Sequence, residues 1–421
     1  MITQKQLCDQ IAHAVDNIIE KVKFVKNIFK DIHDARGKVL LVGGAVRDIV
    51  LEKSFHESQD LDFEVYRISL EELTVILEKY GKVDFVGRSF GVLRLSGLDI
   101  DWSLPRKDSV GRKPQVNFDP FMAYQDAFAR RDLTINAMGI DMQTKEFIDP
   151  YHGFDDIQNK ILKSPNLNFF PQDPLRLLRV MQFAGRFDMQ IDAQLSKVCS
   201  AMDVASLAQE RVEQEFEKLF TKSKYPSKGL MWLFSIKKWQ QFLPVELEMQ
   251  KVYDAVDFIA QTSLKDAEKI ILMWSACLLL SAPCQDKNIT MQYKEAVKKL
   301  SLKGIYQRHI IAYCMQFSYA VKIKNEIQVK WLAYYLASHG TVHEMCILLQ
   351  SVGEGAQAKK INELAKKSQV LFKPIQALLH GKDLQSHAQG KALGVLLEKA
   401  YQMQLEHEYI SKKNLLDLLL K

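Results

Sequence analysis

Glycine and proline are scarce, 19 and 11 in a chain of 421 residues, which excludes collagen-like repeats and wholesale disorder. The six cysteines, Cys8, Cys199, Cys277, Cys284, Cys314 and Cys346, contain no C-x-x-C pair and no metal-ligand spacing. They read as reduced, mostly buried thiols rather than a disulfide framework or a zinc site. No run reaches the roughly eighteen uninterrupted apolar residues of a membrane span; the densest, IILMWSACLLL (270–280), reads as a buried core helix. The N-terminus lacks the apolar stretch of a signal peptide, so the expectation is a soluble, cytoplasmic chain with no membrane contact. Neither sign of charge dominates: 57 Lys and Arg against 51 Asp and Glu give +6, which permits a polyanionic partner without demanding one.

What is present suits a globular chain of two to four packed units, since 47% of its residues are hydrophobic and 26% charged. Ile11, Val15, Ile18, Ile19, Val22 and Val25 recur at helical spacing, predicting one amphipathic N-terminal helix that covers a neighbour. Strand-like patterns gather between 38 and 150: KVLLVGG, DLDFEVYRI, VDFVGRSFGVLRLSG, LDIDWSLP and a last piece near EFIDP. Beyond about residue 157 the pattern is almost wholly helical. The layout is α+β, a mixed α/β head followed by a helical remainder.

Four segments carry candidate chemistry. In KVLLVGGAVRDIVL (38–51) an apolar run stops at Gly43-Gly44 and resumes as a helix. Glycines there let a ligand approach the backbone, and the helix start offers N–H groups to a phosphate with Arg47 one turn in, although a plain strand-to-helix turn gives the same pattern. In QDLDFEVY (59–66), Asp60 and Asp62 stand two apart on a strand, so both carboxylates share one face. Like charges held that close call for a cation between them, the device that activates a hydroxyl in phosphoryl transfer, unless the face is simply solvated. LDIDWSLPR (98–106) repeats the arrangement with Asp99 and Asp101, and Asp101 is the better candidate for a third carboxylate. ARRDLTINAM (129–138) sets Arg130, Arg131 and Asp132 before what reads as a short apolar helix. Such a group can read a ribose hydroxyl and a triphosphate together, or form a salt bridge and an N-cap.

With QDPLRLLRVMQFAGRF (172–187) and ERVEQEFEK (210–218) following in order, the set closely resembles the class II tRNA nucleotidyltransferase and poly(A) polymerase family, most of all its bacterial CCA-adding members. The likeness extends to VGRSFGVLRL (86–95), the SLPRKDSVGRKP loop (103–114) and a tail-like segment at 380–411.

The resemblance implies a nucleotidyltransferase-type head followed by an elongated all-helical neck, body and tail. The corresponding spans are an extension over 1–37, a catalytic head over 38–156, a neck over 157–222, a body over 223–350 and a tRNA-binding tail over 351–421. It implies that Gly43, Gly44 and Arg47 hold the triphosphate, that Asp60 and Asp62 bind a catalytic Mg²⁺, and that Arg130, Arg131 and Asp132 contact triphosphate and ribose. Asp173 and Arg176 would read the base, with Arg179 supporting the nucleotide. An acceptor and a donor three residues apart on one helix suit cytosine and adenine, which present an exocyclic amine beside an unprotonated ring nitrogen, and reject uracil and guanine. Three departures stand out: Gln172 where the family usually has Glu, Gln182 where some relatives have Arg, and a lengthened loop at SFHESQ (54–59).

The activity implied is template-independent addition of CCA to the tRNA 3′ end from CTP and ATP, with pyrophosphate released and no obligate protein partner. Basic stretches at 221–228 and 294–304 are candidates for contact with the tRNA acceptor arm, or solvated helix faces. The alternatives are a CC-adding or A-adding specialist, a poly(A) polymerase, or a catalytically silent RNA-binding relative.

Overall fold

A computed structural model describes residues 4–51, 60–86, 91–108, 116–242, 248–280, 289–300, 303–407 and 410–420. The loop at 54–59, part of the 103–114 loop and Cys284 lie outside these residues. The chain divides into two compact units: residues 1–207 with 235–237, and residues 208–234 with 238–421.

The first unit opens with two helices, α1 (Gln4–Lys21) and α2 (Val25–Asp34), rather than the single one predicted. Phe24, in the left-handed region at φ 64°, breaks the run between them. The predicted stripe holds across the break: Ile11, Val15, Ile18 and Val25 are all buried. Next come β1 (Lys38–Val42), α3 (Gly44–Val50) and β2 (Leu61–Tyr66). Helix α4 (Leu70–Glu78) is entered through a capping box in which Glu72 N–H donates to Ser69 Oγ at 3.1 Å and Ser69 N–H to Glu72 Oε2 at 2.8 Å. A hairpin of β3 (Val83–Val86) and β4 (Val92–Leu95) leads into β5 (Ile100–Ser103). A small ribbon pairs β6 (Arg106–Asp108) with β7 (Val116–Phe118), followed by α5 (Tyr124–Ala129).

The helix expected after Asp132 is only a 3₁₀ turn, Thr134–Asn136, and the chain continues as β8 (Gly139–Asp141) and β9 (Phe147–Ile148). A seven-stranded sheet results, in the order β3-β4-β5-β2-β1-β8-β9. Within it β2 and β5 are parallel neighbours, and every other pair is antiparallel. Short α6 (Gly153–Gln158) and β10 (Ile161–Leu162) precede α7 (Leu175–Phe187), β11 (Gln190–Ile191) and α8 (Ala193–Ala201).

Strand alternation sorts the two faces of the sheet. Phe63 and Trp102, both fully buried, meet Phe29 of α2 with ring centroids 4.9–6.1 Å apart. Burying each such side chain is worth about 2–3 kcal/mol. On the opposite face Leu40, Val42 and Tyr66 form a core with Phe128 of α5 and Ala137. Asp62 and Glu64, the register partners of Val42 and Leu40, belong to this second face. Lys38 Nζ bonds Asp141 at 2.8 Å and ties β1 to β8.

Among its described residues the second unit has helices as its only regular elements, from α9 (Gln209–Lys222) to the C-terminal helix Lys412–Leu419. Its core gathers Phe216 and Phe220 of α9 with Trp239, Phe242 and Trp274. The helix Asp266–Leu279 is buried without interruption from Ile270 to Leu278, which is why its sequence shows no polar face. A separate apolar cluster around Leu384, Ala400 and Leu415 holds the last helices together. Among the described residues no helix is long and apolar enough to cross a membrane, and the described cysteines are free, all buried except Cys8.

Candidate active site

The turn after β1 is built on Gly43, whose φ of 74° and ψ of −131° suit glycine alone among the residues. A Cβ there would lie 3.4 Å from Asp62 Oδ2 and 3.6 Å from Arg131 Nη1, so the turn brings backbone, carboxylate and guanidinium to one place. Gly44 opens α3, close beside the Arg47 guanidinium. Arg47, expected as a phosphate donor, is instead only 5% exposed. Its Nη1 donates to Asn136 Oδ1 at 2.6 Å, its Nε and Nη2 reach Asp48, and its plane lies over the rings of Phe183 and Phe187. Arg47 thus links the start of α3 to Asn136 and to the rings of α7.

Asp60 stands exposed just before β2, and Asp62 is half-buried on the strand. The β2–β5 register puts Asp62 directly beside Asp101, the residue favoured in the sequence as a third carboxylate. Burial first, and then the charges of Asp101, Asp60 and Glu64, push the Asp62 carboxyl up, while Arg131 pulls it down. Asp101 is clamped by Arg94 across the β4–β5 pair, with Nε at 2.7 Å and Nη2 at 2.6 Å. Among the described residues no three acidic, histidine or cysteine side chains stand as a ready-made metal cage. The donor set nevertheless fits a hard divalent cation: it is all oxygen, and it gathers like charges that such an ion relieves.

Beyond Asp62 on the same face lies Glu64, fully buried, which accepts from Tyr66 Oη at 2.9 Å and from Arg131 Nη2 at 3.0 Å. Asp132 is buried too and gathers three donors into one network. Its Oδ1 accepts from Leu133 N–H at 2.8 Å and Asn136 Nδ2 at 3.0 Å, and its Oδ2 from Arg179 Nε at 2.6 Å. Burial alone would raise this carboxyl, but Arg179 and the Asn136 and Leu133 donors outweigh it and bring it down to about 2. Asn136 thus links Asp132 to Arg47.

Asp173 and Arg176, expected side by side on one helix, do not share one. Asp173 precedes α7 and its Oδ1 accepts from Leu175 N–H at 3.0 Å, a capping role. Arg176 lies in the first turn of α7, where Nη2 donates to the Arg130 carbonyl at 2.6 Å and Nη1 to that of Phe169 at 3.3 Å, with Phe169 and Phe170 against its plane. Gln172 is exposed, whereas Gln182 is 2% exposed with its Nε2 unpartnered.

The head thus presents two or three carboxylates, a glycine turn and an arginine on one sheet face, and α7 is tied to that face through Asp132 and Arg130. Such a constellation can hold a divalent cation and a polyphosphate together. Residues 39–163 match the poly A polymerase head domain. A multifunctional CCA protein of Legionella pneumophila (strain Lens) is 35% identical over 218 residues, covering 49% of this chain and 50% of that protein. The corresponding protein of Mannheimia succiniciproducens is 36% identical over 192 residues, 42% of this chain and 43% of its own length. The chain therefore spans about half the length of these relatives. A Schizosaccharomyces pombe tRNA nucleotidyltransferase, cca2, is 28% identical over 363 residues, 73% of this chain and 72% of its own. Among solved structures, the Thermotoga maritima CCA-adding enzyme complexed with tRNA aligns with a TM-score of 0.65 at 19% identity over 97% of this chain and 98% of that one. A CCA-adding enzyme complexed with CTP gives 0.68 at 19% identity over 97% of each. These comparisons bear out the resemblance read from the motifs, and the structural ones establish the mixed head and helical remainder as a shared fold.

Glu64, Arg94 and Asn136 were not singled out from the sequence. Glu64 had a signal, since Asp60, Asp62 and Glu64 continue one period-two series. Arg94 had none, because its pairing with Asp101 depends on a register that no local pattern specifies.

Proposed function

We propose that this protein is a template-independent nucleotidyltransferase that adds CCA to the 3′ end of tRNA from CTP and ATP, releasing pyrophosphate. The observation that carries the reading is the pairing of Asp62 with Asp101 on adjacent parallel strands, on the face reached by the Gly43 turn and Arg131. Asp60 and Asp62 would hold the metal, proposed as Mg²⁺, with Asp101 as third carboxylate. When bound, Mg²⁺ supplies the Lewis acidity that lowers the pKa of the attacking 3′ hydroxyl and stabilises the departing pyrophosphate.

The chain's own residues would do the positioning. Gly43 and Gly44 leave room for phosphate oxygens against the backbone, and Arg131 offers donors beside them. Asp132, held ionised by Arg179 and Asn136, would accept from a ribose hydroxyl and so favour ribonucleotides. Arg130 lends its carbonyl to Arg176 and would add charge toward the triphosphate. Arg176, fixed between two carbonyls and two aromatic rings, would donate to the ring nitrogen of cytosine or adenine, while Asp173 accepts from the exocyclic amine. A rigid arginine suits a protein acting as template, because a donor unable to turn cannot be satisfied by uracil or guanine.

The finer division of the chain belongs to the same proposal: extension 1–37, catalytic head 38–156, neck 157–222, body 223–350 and tail 351–421. The helical part would hold the tRNA by shape and phosphate contacts. Lys224 and Lys228 beside the Tyr225 ring are candidates, whereas Lys303 is engaged with Glu217. Free, buried thiols suit a reducing compartment, so the proposed setting is the cytoplasm.

The test is to incubate the protein with Mg²⁺ and tRNA lacking its terminal CCA, with CTP, ATP or both, and resolve product length. Two additions with CTP and a third once ATP is present are expected. Arrest after two would identify a CC-adding specialist, addition of A alone an A-adding one, and long ATP ladders a poly(A) polymerase. No extension in any mixture would sink the enzymatic reading and leave an RNA-binding protein.

A further inference from the structure

Arg131 sits between two carboxylates of β2 that differ sharply in setting. Asp62 is half-buried at the proposed metal site, whereas Glu64 is fully buried two residues along the same face. Arg131 pairs with Glu64 at 3.0 Å, and among the described residues no hydrogen bond or ion pair joins it to Asp62. Its Nη1 stays at the Gly43 turn, and its buried Nε has no partner.

This choice of partner has a physical cause. A buried carboxylate left without a cation is far more costly than one that water can reach, so Glu64 holds the stronger claim on the guanidinium. Tyr66 Oη occupies Glu64 Oε1 and leaves Oε2 for Arg131. Burial, together with the neighbouring Glu64, keeps the Tyr66 phenol well above its ordinary value, so it remains a donor across the working pH range.

We propose that Glu64 is a positioning residue for nucleotide binding: it holds Arg131 at the glycine turn and prevents it from collapsing onto Asp62. Arg131 then keeps donors for an anionic polyphosphate, and Asp62 keeps its charge for the cation. Neither the match to the head domain nor the motif series assigns this role, and the inference rests on the nucleotidyltransferase reading above. Without Glu64 the guanidinium and Asp62 would neutralise each other, weakening metal and nucleotide binding while leaving the chemical step itself intact once the nucleotide is bound.

The experiment compares the full-length wild type with Glu64→Gln and Tyr66→Phe. It measures the Kd for CTP in Mg²⁺ by calorimetry, and the kcat and KM for CTP incorporation into tRNA lacking CCA. For Glu64→Gln, Kd and KM are expected to rise about tenfold with kcat little changed, and Tyr66→Phe should move both in the same direction by less. A folded Glu64→Gln protein with unchanged Kd and KM, or one that loses only kcat, would overturn the inference. If Glu64→Gln does not fold, Tyr66→Phe decides by the same criterion. Wild type that binds CTP without incorporating it would sink the CCA reading while the Kd comparison still judges Glu64. Wild type that binds no CTP would overturn both.

Discussion

Arg179 Nε donates to Asp132 Oδ2 at 2.6 Å, joining α7 to the segment that follows Arg130 and Arg131. This bond and the donors to Oδ1 hold the carboxyl near 2, below the roughly 3.9 of an unfolded aspartate. The folded-state value is depressed, so the stabilisation is fully present above pH 4 and is lost as pH falls through 2, about 2 kcal/mol in all. Urea unfolding between pH 5 and pH 2 should show wild type losing its advantage over Asp132→Asn across that window. A constant gap between the two proteins would count against the assignment.

Asp62 carries the opposite sign. Burial and its acidic neighbours push its carboxyl up, so its charge opposes folding when no cation is present. Asp62→Asn should therefore melt at or above the wild-type temperature in EDTA at pH 7, should lose any stabilisation by Mg²⁺, and should lower nucleotide incorporation by about a thousandfold or more. A melting temperature several degrees below wild type in EDTA would refute this.

Gly43→Ala tests the turn. The φ of 74° costs an alanine about 1–3 kcal/mol, and its Cβ would face Asp62 and Arg131. The expected outcome is a destabilised but folded protein whose KM for CTP rises more than its kcat falls, read from a melt and steady-state kinetics.

Gly153 lies far from the carboxylates in sequence but against the Thr134 carbonyl, where a Cβ would stand 2.3 Å from the oxygen. Because this contact is backbone, no side chain can turn aside. Gly153→Ala should lose roughly 1–3 kcal/mol and disturb the Asp132–Asn136 segment, so activity should fall at a temperature where the fold survives. Full activity in a stable variant would show that the segment tolerates displacement.

Arg176→Ala removes the proposed donor to the base along with its bonds to the Arg130 and Phe169 carbonyls. Incorporation from CTP and ATP should drop, while their preference over UTP and GTP narrows by about tenfold or more. Retained discrimination in an active variant would place base reading elsewhere.

Much of this site was legible because its signals are local. Asp60 and Asp62 share a face by strand alternation, Gly43 marks a turn because an apolar run ends there, and the N-terminal stripe predicts its own buried residues. Where a signal depended on the rest of the molecule, the local reading failed. The residues after Asp132 look like an apolar helix, yet they form a 3₁₀ turn and a strand because β1 offers a pairing edge to Gly139–Asp141. Asp173 sits beside Arg176 in sequence at helical spacing, yet Pro174 is the N-cap of α7, and Asp173 caps it from outside.

The sequence by itself determined the mixed head and helical remainder, the carboxylate pair, the glycine turn and the family resemblance, because these rest on patterns within single strands, turns and helices. Only the tertiary structure decided which charges meet. Asp101 stands beside Asp62 through a parallel register, Arg94 clamps Asp101 across a hairpin, and Glu64 rather than Asp62 holds Arg131. Ion-pair choice is settled by burial and distance, and both arise only when segments remote in the chain are packed together.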